Sequence, residues 1–191
     1  MESADKKLAI AVVITVLIII SGIVLFPYQL DTEKVTAFDL ILTPTDLGPE
    51  WEGYIHIYSD VTWYHTDFQS FCQASLFNAT YGIYIQLEAL NSVVACQNEY
   101  DNESNHYQNI GTIYNHTWYY DDFYLAEQSF IVTLDSIQYP TGILIVFIID
   151  NILCKVSCPE HPHTPQQWWK TATITIAEMQ VGKVNQNLRW R

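Results

Sequence analysis

Apolar and polar residues alternate most cleanly in "GIYIQLEAL", residues 82–90. Ile83, Ile85, Leu87 and Ala89 fall on one side; Tyr84, Gln86 and Glu88 fall on the other. A period of two predicts a strand, and one apolar face beside one wet face predicts an antiparallel sheet. "GYIHIY" (53–58) repeats the alternation around Ile55 and Ile57, and "CQASLF" (72–77) puts Cys72, Ala74 and Leu76 together. Further strands are predicted near 113–120, 128–136 and 142–149, the last two as a hairpin across "YPTG". "DN" at 150–151 turns into a strand over 152–158, where Ile152, Cys154, Val156 and Cys158 share the inner face.

Helical periods interrupt the strands. "LTPTDLG" reads as one helical turn, with Thr43 as cap, Pro44 in the first position and Gly48 as the stop. Asn91 or Ser92 caps a helix to about Tyr107, with Val93, Cys96 and Tyr100 on one side. A closing helix opens with a capping box at Thr164, Pro165 and Gln167. Trp169, Ala172, Ile176 and Met179 recur along it, and Gly182 reads as its stop. The paired Trp168–Trp169 reads as core. The expected fold is α+β: an antiparallel sheet covered by two helices, over residues 40–182, with 183–191 as a tail.

One segment has no polar face. Leu8 to Phe26 is uncharged, with Thr15 and Ser21 as its polar interruptions, and is long enough to span a hydrocarbon core as a helix. Lys6 and Lys7 precede it, while Asp31, Glu33 and Asp39 follow with Lys34 alone among them. That asymmetry places residues 1–7 in the cytoplasm and the rest outside. The exit "LFPYQL" offers no small-residue cleavage site, so a retained signal-anchor is expected, followed by a stalk over 27–39. The expected location is the cell membrane, crossed once, with the lipid bilayer as one partner.

The net charge of −13 lies beyond the anchor, because the charges of residues 1–27 cancel. An acidic outer domain is repelled by phosphates, which excludes nucleic acid as a partner. Four cysteines (Cys72, Cys96, Cys154, Cys158) all lie in the outer part, and an even number in an oxidising compartment predicts two disulfides. An extended strand holds Cys154 and Cys158 about 13 Å apart, so each would pair with Cys72 or Cys96. If the strand ended early, a Cys154–Cys158 loop and a Cys72–Cys96 bond would be the alternative.

Cys154, Cys158, His161 and His163 also form C-x3-C-x2-H-x-H, a candidate metal set for zinc or copper. Zinc modules usually space their histidines more widely, and a proline-rich loop with exposed histidines is the plainer reading. Asn78, Asn102 and Asn115 stand in N-x-S/T sequons available to glycosylation outside the membrane. Asp121–Asp122 within "WYYDDFY" suggests sugar chemistry, but adjacent strand residues face opposite ways and cannot flank one bond, leaving an exposed acidic turn. Hydrolase, phosphate-loop and dinucleotide motifs are absent, so neither an enzyme nor a cofactor is indicated.

"LTPTDLGPEW", "IQLEALNSVVAC", "LAEQSF", "IIDNILCKVS" and "WWKTATITIAEMQVGKV" in this order resemble a loose class of small exported domains. These are lipoproteins, kinase sensor-type ectodomains and PsbP-like domains. The resemblance covers about 140 residues, and Leu125–Ala126–Glu127 departs from the class pattern before the meander. It implies a sheet flanked by helices and a role in binding, sensing or assembly. The expected function is thus a membrane-anchored surface protein that binds a ligand or serves as accessory subunit of a membrane assembly, with other membrane proteins or surface glycans as partners. The alternatives are an extracytoplasmic metal-binding or redox protein and a pilin-like filament subunit.

Overall fold

The computed structural model describes residues 36–58, 67–109, 112–113, 116–136, 140–158 and 166–189. The apolar segment 8–26, Asn115, and the loop with His161, His163 and the Thr164 cap lie outside the described residues. Among the described residues no helix is long and apolar enough to cross a membrane.

Two short helices open the domain by the same device. In α1 (Ala37–Leu40) the Asp39 carboxylate accepts from the Thr36 backbone N–H at 2.9 Å and from its hydroxyl at 2.8 Å. In α2 (Pro44–Leu47) Asp46 does the same for Thr43, at 2.7 and 2.8 Å. Thr-x-x-Asp thus satisfies otherwise orphaned groups at each helix start. Gly48, at φ 121°, ends α2 as its sequence predicts. Residues 37–39, expected in the stalk, belong to the domain, with Ala37 and Leu40 fully buried.

Among the described residues eight strands form one antiparallel sheet in the order β1-β2-β3-β8-β7-β6-β5-β4. They are β1 (Glu52–Tyr58), β2 (Phe68–Phe77), β3 (Gly82–Leu90), β4 (Thr112–Ile113), β5 (His116–Asp122), β6 (Gln128–Ser136), β7 (Pro140–Ile149) and β8 (Ile152–Cys158). After β3 the chain crosses the sheet through α3 (Val93–Asn109) to the far edge, then meanders back until β8 closes on β3. The Ser92 hydroxyl accepts from Ala95 N–H at 3.1 Å, as expected of a cap for α3. Asp150, at φ 56°, makes the tight β7–β8 turn.

The main core lies on one face. Cys72, Ala74 and Leu76 of β2 join Ile83, Ile85 and Leu87 of β3 and the inner residues of β7 and β8. Helix α4 (Gln166–Arg189) covers this layer with Ile176, Ala177 and Val184. The buried Gln180 clasps the opening segment: its Nε2 donates to Leu40 O at 2.7 Å and its Oε1 accepts from Leu42 N–H at 2.9 Å. Both ends of that amide are satisfied, which is what makes its burial tolerable.

Three expectations change. Helix α4 runs through Gly182 to Arg189, because Val184 continues the buried stripe beyond the glycine, so 183–189 are helix and not tail. The buried line is Thr173, Ile176, Ala177, Gln180 and Val184; Met179 is partly exposed and Trp168 is largely exposed, not core. Most consequentially, the second face of the sheet is not uniformly wet. Helix α3 covers it over β7 and β8 with Cys96 and Tyr100, packed on Phe130, Val132, Val146 and Leu153. Burial on both faces explains why "GILIVFII" is continuously apolar where an edge strand would alternate.

Candidate ligand-binding groove

Because α3 covers only part of the second face, the outward residues of β1, β2 and β3 stay open beside it. There they floor a groove of about 690 Å³ walled by Glu103 and Tyr107 of α3. Strand register sets two rows across it. Tyr54, Ser75, Tyr84 and Ser157 lie side by side, as do His56, Gln73, Gln86 and Lys155. Tyr54 and Tyr84 are 54% and 50% exposed, so their rings present surface to the groove.

A chain of polar contacts runs along the floor. The Tyr58 hydroxyl donates to Gln73 Oε1 at 3.0 Å, Gln73 Nε2 donates to Gln86 Oε1 at 3.2 Å, and Gln86 Nε2 donates to Glu88 Oε1 at 2.6 Å. Lys155 closes the chain, 3.3 Å from Glu88 Oε1 and 2.6 Å from Glu103 Oε1. The direction is imposed from the acidic end. A carboxylate oxygen accepts, so Gln86 must turn its NH2 toward Glu88, which presents its oxygen to Gln73 and fixes that amide in turn.

Burial governs the charges. Only 4% of the Glu88 side chain is exposed, and Oε2 has no hydrogen-bond partner among the described residues. Burial raises the Glu88 pKa and outweighs the lowering by Lys155 and Gln86. Lys155 behaves oppositely: burial lowers its pKa, but the two carboxylates outweigh it and the net shift is upward. Lys155 therefore stays an ammonium, held by Glu88 and Glu103 together.

The four cysteines are all buried, and no disulfide joins any two of them in this structure. Cys72 and Cys154 share a row but stand on either side of Leu87, two strand spacings or roughly 9.6 Å apart, beyond the 7 Å or so that a disulfide spans. Cys96 lies in the α3 layer, across the sheet from the other three. Burial pushes the Cys72 and Cys96 thiols up to about 12 and Cys158 to about 11, the last despite a hydrogen bond with Thr173. Cys154 is raised well above the usual range by burial. Such thiols are packing residues, not nucleophiles.

Two members of the alternative metal set, His161 and His163, lie outside the described residues. Cys154 and Cys158 lie at opposite ends of five consecutive residues of β8, about 13 Å apart, and cannot meet on one ion whose bonds to sulfur are about 2.3 Å. Among the described residues no cluster suits a metal ion.

Of the sequons, Asn78 closes the β2–β3 hairpin, its Oδ1 accepting from Thr80 and Tyr81 N–H at 2.8 and 3.0 Å. Asn102 is exposed on α3. Asp121 and Asp122 are exposed at the end of β5, opposite Ile131 and Phe130, in a strand rather than a turn.

The groove residues escaped sequence reasoning because each is an ordinary outward strand position. One signal was available: Lys155 is the single charge in "ILCKVSC", an otherwise core-forming strand.

No known family profile and no curated protein matches the chain. Among solved structures it is similar in fold to the extracellular domain of PknH from Mycobacterium tuberculosis, with a TM-score of 0.53 and 12% identity. The match covers 80% of this chain and 97% of that domain. At that identity the likeness concerns the fold alone.

Proposed function

We propose that this chain is a single-pass, membrane-anchored surface protein whose extracytoplasmic domain captures a ligand in the groove beside α3. The observation that carries the reading is the half-covered sheet face: a concave site of about 690 Å³, floored by an ordered chain of polar side chains. Sites of this size, with a few convergent polar groups, are where small ligands bind. The uncharged segment 8–26 and the charge asymmetry around it support the anchor and the outward topology. An extracellular domain with a similar fold agrees with that placement.

A binding role is favoured over catalysis by how the groove uses its groups. Lys155 is shared by two carboxylates, and the amides are committed to one another. Such a floor holds and orients. The reading is tested by native mass spectrometry of the full-length protein released from its own membranes. Wild type should carry a bound small molecule that Ser157→Trp, which fills the groove, lacks. Equal occupancy in both proteins refutes the groove. In sealed cytoplasm-inside vesicles, added protease should digest the domain and spare the first few dozen residues; a protected domain refutes the topology.

A further inference from the structure

We propose that the ligand of the groove is an uncharged oligosaccharide, a proposal that rests on the groove being the binding site. Three properties of the lining select this class.

The first is charge. Lys155 and Glu103 are the lining residues with full charges, and they pair at 2.6 Å. Neither an anion nor a cation finds an unpaired counter-charge there, and an anion also meets the field of a chain with net charge −13.

The second is hydrogen bonding. Gln73 and Gln86 each spend one acceptor and one N–H on the floor chain. Each amide therefore keeps one donor and one acceptor in a fixed orientation. Neighbouring sugar hydroxyls both donate and accept, and match such a pair. A wholly apolar ligand would strip water from these amides and return nothing.

The third is the aromatic surface. Tyr54 and Tyr84 flank Ser75 in one row, two strand spacings or roughly 9.6 Å apart. Their ring faces are electron-rich. The C–H-lined face of a pyranose is the complementary surface, and the separation suits roughly two linked rings. An extended peptide offers similar polar groups, but it would pair along the β1 edge, whereas the tyrosines and amides run across the strands.

Isothermal titration calorimetry of the full-length protein in lipid nanodiscs tests the class. The panel is neutral di- to tetrasaccharides, their carboxylated or sulfated counterparts, and uncharged hydrophilic peptides. Saturable binding of neutral saccharides is expected, with the anionic forms inert. Tyr84→Ala should weaken binding about tenfold or more with an unchanged melting temperature, and Tyr84→Phe should retain it. If peptides or anionic sugars bind instead, and Ser157→Trp abolishes that binding, the sugar assignment fails and the groove stands. If nothing binds wild type that Ser157→Trp also excludes, both fail. Saccharide binding indifferent to Tyr84→Ala and Ser157→Trp places the sugar elsewhere and overturns the proposal.

Discussion

Replacing Lys155 by Met removes the only cation on the groove floor among the described residues while keeping most of the side-chain volume. What remains is Glu88, with 4% of its side chain exposed, and Glu103, with 20%. Coulomb attraction at these separations is on the order of 5–6 kcal/mol for each contact at an effective dielectric of 20, and the cost of desolvating the charges offsets much of it. Breaking a buried pair by removing one partner typically costs about 3–5 kcal/mol, because a charge is left uncompensated. Glu103 can recover some hydration; Glu88 cannot. For a domain of this size that loss corresponds to a melting temperature lower by roughly 6–20 °C. The deficit should depend on pH with a definite sign. The folded-state pKa of Glu88 is already raised above 4.5, and losing Lys155 raises it further. Its ionised form therefore opposes folding, so stability falls as pH rises from 4.5 through the folded-state value. The deficit is largest at neutral pH and shrinks toward pH 4. Glu88→Gln in the same background should restore most of the loss at pH 7. Thermal and urea melts followed by circular dichroism would measure this. A change within about 0.5 kcal/mol at pH 7, or a deficit that ignores pH, would mean the floor charges are solvated and the site is misdescribed.

Gly53→Ala should destabilise the protein by about 1–3 kcal/mol in the same melts, because a Cβ there would sit 2.2 Å from the Ser75 carbonyl oxygen. Gly182→Ala should stabilise it by roughly 0.5–1 kcal/mol, since the glycine is inside α4 and nothing lies within 4 Å of an added Cβ. Thiol titration of the unfolded, unreduced protein should find all four cysteines free, and reductant should leave the melting temperature of the native protein unchanged. Fewer than three free thiols would restore the disulfide reading.

Strand periodicity made much of the sheet legible. The alternation in 82–90 and 152–158 matches β3 and β8 to the residue, because an inward apolar set fixes register wherever one face is buried. The course of α3 was less legible, since its poor helical composition does not say which strands it covers. That placement makes the second face half core and half groove. Gly182 misled for a different reason: a glycine signals a helix end only when the apolar stripe also ends, and Val184 carries it onward. The cysteine arrangement was legible only within β8, because the sheet distributes the four over separated strands and both faces. The groove was legible only in part, because Tyr84, Gln86 and Glu88 declare their outward face but not their neighbours.

The proposed function puts ligand against the open half of the second sheet face. Hydrogen exchange of the full-length protein, with and without a saturating ligand, tests it most directly. Binding should slow exchange in the edge strand 52–58 and in the α3 turn 103–109, and leave 170–189 of α4 on the opposite face unchanged. Protection on α4, or none on β1 and α3, would contradict the claim.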